Sequence, residues 1–357
     1  MKQPLLGIIA TAGIIVLSWL VIWAMSTDFF MGWASYVLMC AIPFAIVVGA
    51  FWQSSQPPGI ARLPQPGKGV AYLVGTALIA AVVAVIHWQL RSGGMGEIAP
   101  TAVMTIITSV VTMFFLAIAF GGWPFSRLDN KVLGGMMLLV SAYVLNAVIF
   151  LLMDFGFLMG TPLEPLASGG LFDAWDVVVV MVTSLAVMFL FLCFDVWPLT
   201  TIKALRSQPL LGLGWTAACF VIGLVVFWLG TSMAGIPGPT FMVTVSIPFL
   251  FGAIIMVQML GGSVFGTVKQ PVKGLATAIG AAVIGLALAA LYRVMMPILT
   301  EALPGGPANN FTAELWVANS LLAVTFPFLA FFGDFFGLWP LAGKEKPVVG
   351  EAADITT

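Results

Sequence analysis

Six ionisable residues stand out because they sit at or inside long apolar runs, where charge is costly and is kept for a purpose. Asp195 and Asp334 close two such runs, just ahead of Trp197-Pro198 and Trp339-Pro340. A carboxylate there suits a proton or cation site, or an interfacial acid paired with a nearby Lys or Arg. His87, Arg91, Asp154 and Arg293 lie at the opposite ends of other runs. The two arginines suit an anion-attracting vestibule, with His87 adding a pH-sensitive charge. They suit equally a structural pairing with Asp154, Glu97 or Glu301.

Other chemistries are thinly supplied. His87 is the single histidine, and the three cysteines (Cys40, Cys193, Cys219) stand alone inside apolar runs. Metal centres draw on several His, Cys or carboxylate ligands, so no metal and no cofactor is expected, and the cysteines read as small apolar fillers. There is no P-loop or GxGxxG fingerprint after a strand, which disfavours nucleotide-driven work by this chain.

The elements that must position these residues are helices in a bilayer. Of 357 residues 61% are hydrophobic and only 8% charged, against roughly 25% charged in soluble domains. The net charge of −1 argues against a nucleic-acid partner, which would require a basic face. The expected fold is an all-α integral membrane protein with about ten transmembrane helices near 5–24, 33–52, 70–89, 101–121, 132–153, 174–195, 210–230, 240–260, 274–293 and 315–337. The first run is too long for the apolar region of a signal peptide, so it reads as a first transmembrane helix.

An internal repeat organises these runs. Phe194-Asp195-Val196-Trp197-Pro198 resembles Phe120-Gly121-Gly122-Trp123-Pro124 and Gly337-Leu338-Trp339-Pro340, with weaker copies around Trp52 and Val264. Landmarks at 52, 123, 197, 264 and 339 are spaced by 71, 74, 67 and 75 residues, so the expected unit is a two-helix hairpin present five times. The hairpins cover about 1–60, 61–131, 132–206, 207–272 and 273–345 of one membrane domain, and 346–357 form a short tail. Prolines 43, 248 and 327 fall in second helices of hairpins. Of 13 basic residues, 11 (Lys2, Arg62, Lys68, Arg127, Lys131, Lys203, Arg206, Lys269, Lys273, Lys344, Lys346) fall on one side. The positive-inside rule makes that side cytoplasmic, with both termini inside, in what reads as a bacterial inner membrane. Asp173 and Asp176 read as caps at the start of helix six, and Trp52, Trp123, Trp197 and Trp339 as interfacial anchors.

Small residues at four-residue spacing mark the first helices (Ala77, Ala81; Ala80, Ala84; Ala281, Gly285, Ala289), whereas Phe crowds the second helices. Such stripes admit close helix approach, so the expectation is small-faced first helices inside and bulky second helices facing lipid or partners. The alternative is that the Pro-bearing second helices line a cavity. At the level of architecture, five tandem hairpins resemble the tellurite-resistance/dicarboxylate transporter and plant slow-anion-channel group. The resemblance implies a central pore formed by one helix of each hairpin; no residue is carried over from it. The functional expectation is a multi-pass permease or channel for a small solute, an anion being one candidate. The alternative is a non-catalytic membrane-embedded subunit of a larger complex, docking protein partners through its basic landings. A lipid-acting enzyme ranks third, since the carboxylates are scattered.

Overall fold

The computed structural model describes residues 2–342 apart from Met95 and Ser168; Lys344, Lys346 and the tail 346–357 lie outside the described residues. Among them are ten helices long and apolar enough to cross a membrane. They are α1 (Leu5–Trp23), α2 (Thr27–Phe51), α3 (Gly67–Arg91), α4 (Pro100–Ala119), α5 (Lys131–Leu152), α6 (Ala174–Cys193), α7 (Leu210–Met233), α8 (Gly238–Met259), α9 (Val272–Leu299) and α10 (Thr312–Phe335). The sequence places α2 six residues too late. Ser26 caps it, accepting from the Phe29 N–H at 3.4 Å, so the polar Ser-Thr-Asp stretch is the first turn and not a loop.

Of the two arrangements the sequence leaves open, the structure has the second helices of the hairpins inside. The even-numbered spans are 67–78% buried and the odd-numbered ones 22–39%. The even spans form a closed ring in which α2 packs on α4, α4 on α6, α6 on α8, α8 on α10 and α10 on α2. The odd helices lie outside, with α3 on α2, α5 on α4, α7 on α6, α9 on α8 and α1 on α10. The small-residue stripes do mediate close approach, but between an outer helix and the ring. Ala281, Gly285 and Ala289 of α9 are buried, and a Cβ added at Gly285 would overlap the Pro248 carbonyl of α8. On α3, Ala80 and Ala84 are buried, and the Tyr36 hydroxyl of α2 donates to the Ala84 carbonyl at 2.9 Å. Bulky Phe side chains then fill the middle of the ring, where five helices leave more space than two.

The inner helices end alike. α2, α4, α8 and α10 finish in π-helical turns at Val47–Phe51, Phe115–Ala119, Ile255–Met259 and Phe331–Phe335. Two residues of positive φ follow in all five: Gln53-Ser54, Gly121-Gly122, Asp195-Val196, Gly261-Gly262 and Gly337-Leu338. In α6, which keeps α-helical turns to its end, the Val196 N–H returns to the Phe191 carbonyl, the usual Schellman closure. In the other four the return spans one residue more, as in Gly122 to Leu116 and Leu338 to Phe332, because the π turn inserts a residue. This shifts the correspondence read from the sequence: Trp52 matches Phe120 and Phe194, not Trp123 and Trp197. Trp52 is accordingly buried, not an interfacial anchor, and its Nε1 donates to the Lys131 carbonyl at 2.8 Å. Trp197 and Trp339 are exposed as expected.

A second recurrent device starts the outer helices. Gln3, Gln65, Gln208 and Gln270 each precede a Pro, with Gly three residues after that Pro. Each side-chain oxygen accepts from that Gly N–H (3.2, 3.2, 3.1 and 2.9 Å). Each side-chain nitrogen donates to the last turn of an inner helix: Met259, Phe335, Ala119 and Cys193 (2.9, 2.8, 2.9 and 3.4 Å). Glycine is required because Leu260, Phe336, Phe120 and Phe194 lie against Gly7, Gly69, Gly212 and Gly274. At α5 the Trp52 contact takes this place, with Trp52 over Gly135. Each outer helix therefore lies over the seam between two ring helices. Gln208→Ala orphans the Ala119 carbonyl and the Gly212 N–H, and is expected to cost about 1–3 kcal/mol, read as a lower unfolding midpoint in nanodiscs.

Candidate functional site

The axis of the ring carries a feature to which all five inner helices contribute. A cavity of about 30 Å³ lies at mid-span, lined by Met39 and Ile42 (α2), Phe114 (α4), Leu185 (α6), Leu250 (α8) and Phe326 (α10), among other apolar side chains. That is space for about two waters, and with no polar partner in its lining it is expected to be dry. Phe114 meets Phe189 of α6 and Phe326 edge-on, each at 5.7 Å between ring centres. Phe326 in turn meets Phe251 of α8 at 6.4 Å. Phe114 and Phe326 thus line the axis, and Phe189 and Phe251 pack against them from α6 and α8. A constriction of this type bars ions by withholding water.

The proline of each Pro-bearing helix bears on this geometry. Pro248 and Pro327 lie two residues after the ends of the π-helical segments Met242–Ser246 and Ser320–Thr325. Proline has no N–H to donate and its ring crowds the preceding turn, so the ladder widens there. Buried hydroxyls serve the ring joints: Thr183 and Ser246 share a 2.8 Å hydrogen bond between α6 and α8. Between α4 and α5, Thr108 donates to Asn146 at 2.6 Å and Asn146 donates to the Thr105 carbonyl at 2.9 Å.

None of the six sequence-selected residues lines this cavity. Asp195 lies at the closing turn of α6, where Lys273 of α9 forms an ion pair with it at 2.8 Å and Gln270 donates at 2.9 Å. Its αL backbone (φ 52°) is one that Asp tolerates better than most residues, so the turn explains the residue type. Partial burial pushes its carboxyl up, but the bonds from Lys273 and Gln270 outweigh this and hold it below 3.8. A depressed carboxyl stabilises the fold above its unfolded pKa and loses that contribution as pH falls through the folded one. With its side chain 59% exposed, the pair is worth less than about 1 kcal/mol. Lys273→Ala is thus expected to lower the unfolding midpoint slightly at pH 7, by an amount that shrinks as pH falls below the ordinary carboxylate range.

Asp334 differs. It lies in the final π turn of α10, and Gln258, in the matching turn of α8, donates to both carboxylate oxygens at 3.1 and 3.2 Å. On the other flank a Cβ at Gly49 of α2 would collide with this carboxylate. No cation pairs with Asp334 among the described residues, so the expected interfacial pairing holds for Asp195 and not for Asp334.

At the opposite end, the expected ion pairs of Arg91 and Arg293 are absent among the described residues. The Arg91 guanidinium lies 3.6 Å above the Phe150 ring of α5, a cation–π contact. His87 meets Tyr143 edge-on at 5.5 Å, and its buried Nδ1 has no hydrogen-bond partner among the described residues. Asp154 turns the chain by accepting from the Gly156 N–H at 2.9 Å. It sits in β1 (Met153–Asp154), paired in parallel with β2 (Phe172–Asp173), a two-residue bridge that the sequence does not announce. Asp173 caps α6, accepting from the Trp175 and Asp176 N–H groups, as expected. Arg293 faces a separate pocket with Glu314.

Among the described residues no group of three His, Cys, Asp or Glu is placed to hold a metal ion. The aromatic closure was within reach of the sequence, through Phe114, Phe189, Phe251 and Phe326 near the middles of even-numbered runs. It was missed because the Phe-rich faces were assigned to lipid.

No family model matches the chain, and no curated protein or solved structure matches it.

Proposed function

We propose that the chain is a multi-pass permease or channel for a small solute, with its pathway along the axis of the inner ring. The carrying observation is the closed ring of five inner helices around an apolar constriction to which all five contribute. Proline-linked π turns in α8 and α10 supply helix segments whose backbone ladder can shift to widen the axis. Arg91, with no carboxylate partner among the described residues, supports an anionic solute.

The ten spans read as five tandem hairpins with the boundaries given above. The support is the closing turn common to α2, α4, α6, α8 and α10, and the start of each outer helix docked on the inner helix of the hairpin two earlier, counted around the ring. Eleven basic residues at the Trp-Pro end support a cytoplasmic position for that end and for both termini, in a bacterial inner membrane. The alternative, a complex-embedded subunit docking through its basic landings, loses one of its supports, because the Phe-rich second helices are the more buried ones.

Purified protein in liposomes, offered halides, nitrate and small carboxylates, tests the proposal. Flux of any of them above that of empty liposomes supports it. Rates no greater than those of empty liposomes for every solute in the panel count against it.

A further inference from the structure

Away from the axis, at the ends of α8, α9 and α10 opposite the closing turns, lies a pocket of about 280 Å³ lined by Thr240, Thr244, Arg293, Met296, Ala313 and Glu314. Its chemistry is divided by charge. Arg293 of α9 is exposed and makes no ion pair among the described residues, so its guanidinium is a free set of donors. Glu314, in the first turn of α10, is half-buried and fixed in place. Both its oxygens accept from the Gly306 N–H at 3.2 Å, and the Thr240 hydroxyl donates to it at 3.4 Å. The Thr244 hydroxyl donates to the Thr240 carbonyl at 2.7 Å. Both threonine hydrogens are thereby committed to the protein, which leaves their oxygens as acceptors, alongside the unused lone pairs of Glu314.

The pocket therefore offers one cationic donor group on its outer-helix side and three acceptors, one of them anionic, on its inner-helix side. A simple anion would meet Glu314 repulsion, and a simple cation Arg293 repulsion. A ligand carrying both charges satisfies each wall. We infer that this is a binding site for a small zwitterion, whose anionic oxygens face Arg293 and whose ammonium faces Glu314, Thr240 and Thr244. Its volume falls just under the ~300–1,000 Å³ of pockets for drug-sized ligands, which fits a phosphoethanolamine-sized group. Such a group arrives either as a phospholipid headgroup or as a free solute. The site involves an outer helix and stands apart from the axial cavity, so it does not depend on the transport proposal.

The test is the thermal unfolding midpoint of the full chain, stripped of lipid in detergent, with added phosphatidylethanolamine, phosphatidylglycerol or O-phosphoethanolamine. The expected result is a rise with phosphatidylethanolamine that exceeds the rise with phosphatidylglycerol, and an apparent affinity about tenfold weaker (some 1.4 kcal/mol) in Arg293→Gln and in Glu314→Gln. A matching rise with O-phosphoethanolamine identifies a free zwitterion as sufficient; a rise with the lipid alone identifies the headgroup source. If Glu314→Gln loosens the turn at Gly306 and lowers the ligand-free midpoint, Arg293→Gln decides, since Arg293 holds no other described group. No rise with either zwitterion, equal rises with both lipids, or undiminished affinity in Arg293→Gln overturns the inference.

Discussion

Gly285→Leu is expected to break the α8–α9 joint and leave little folded protein. The two helix backbones meet at Pro248, Gly252, Ala281 and Gly285, where a Cβ on either glycine would overlap a carbonyl of the partner helix. Backbone carbonyls cannot rotate aside as a side-chain tip can, so the helices must separate along their length. Overpacking of a yielding core costs about 1–3 kcal/mol; this joint lies at or above the top of that range. The check is chemical or thermal unfolding in nanodiscs. Gly13→Leu on α1 is the matched control, because nothing lies within 4 Å of its Cβ position and the residue is exposed. There the change is expected to be neutral or slightly stabilising, given the helix preference of Leu over Gly.

Removing the aromatic closure has the second largest expected effect. Phe326 touches both Phe114 and Phe251, so Phe326→Ala deletes a ring from the axis and joins its volume to the existing cavity. The stability cost is about 3–5 kcal/mol. Solute flux is nevertheless expected to rise several-fold per folded molecule, because the opened axis admits water. Leu224→Ala, on the exposed face of α7, is expected to leave flux unchanged. The two readouts move in opposite directions, which separates loss of a plug from general damage.

Much of the topology was legible in the hydropathy of the chain, and the ten spans fall close to their sequence-derived positions. The inside–outside assignment was not. In a bilayer the lipid-facing surface is as apolar as the core, so a Phe-rich helix and an Ala-rich one look equally suited to either place. Two local signals would have decided it. Gln3, Gln65, Gln208 and Gln270, each followed by Pro and then Gly at the same interval, mark helices whose starts must lie against a bulky neighbour. The Ser and Thr of α4 (Thr101, Thr105, Thr108, Ser109, Thr112), all buried, mark a helix with partners on several sides. The candidate site suffered the same blindness. Charged residues were easy to select, but Asp195 proved to be tied into a turn by Lys273, and Arg91 rests on Phe150. The axial closure is made of side chains that sequence reasoning treats as filler.

The most direct measurement is anion flux in proteoliposomes containing the Phe114→Ala/Phe326→Ala chain, set against wild type and Leu224→Ala at equal folded protein. A pathway along the ring axis predicts flux well above both references. Flux in the double variant no greater than in Leu224→Ala, with the fold intact by gel filtration, would contradict a pathway along this axis.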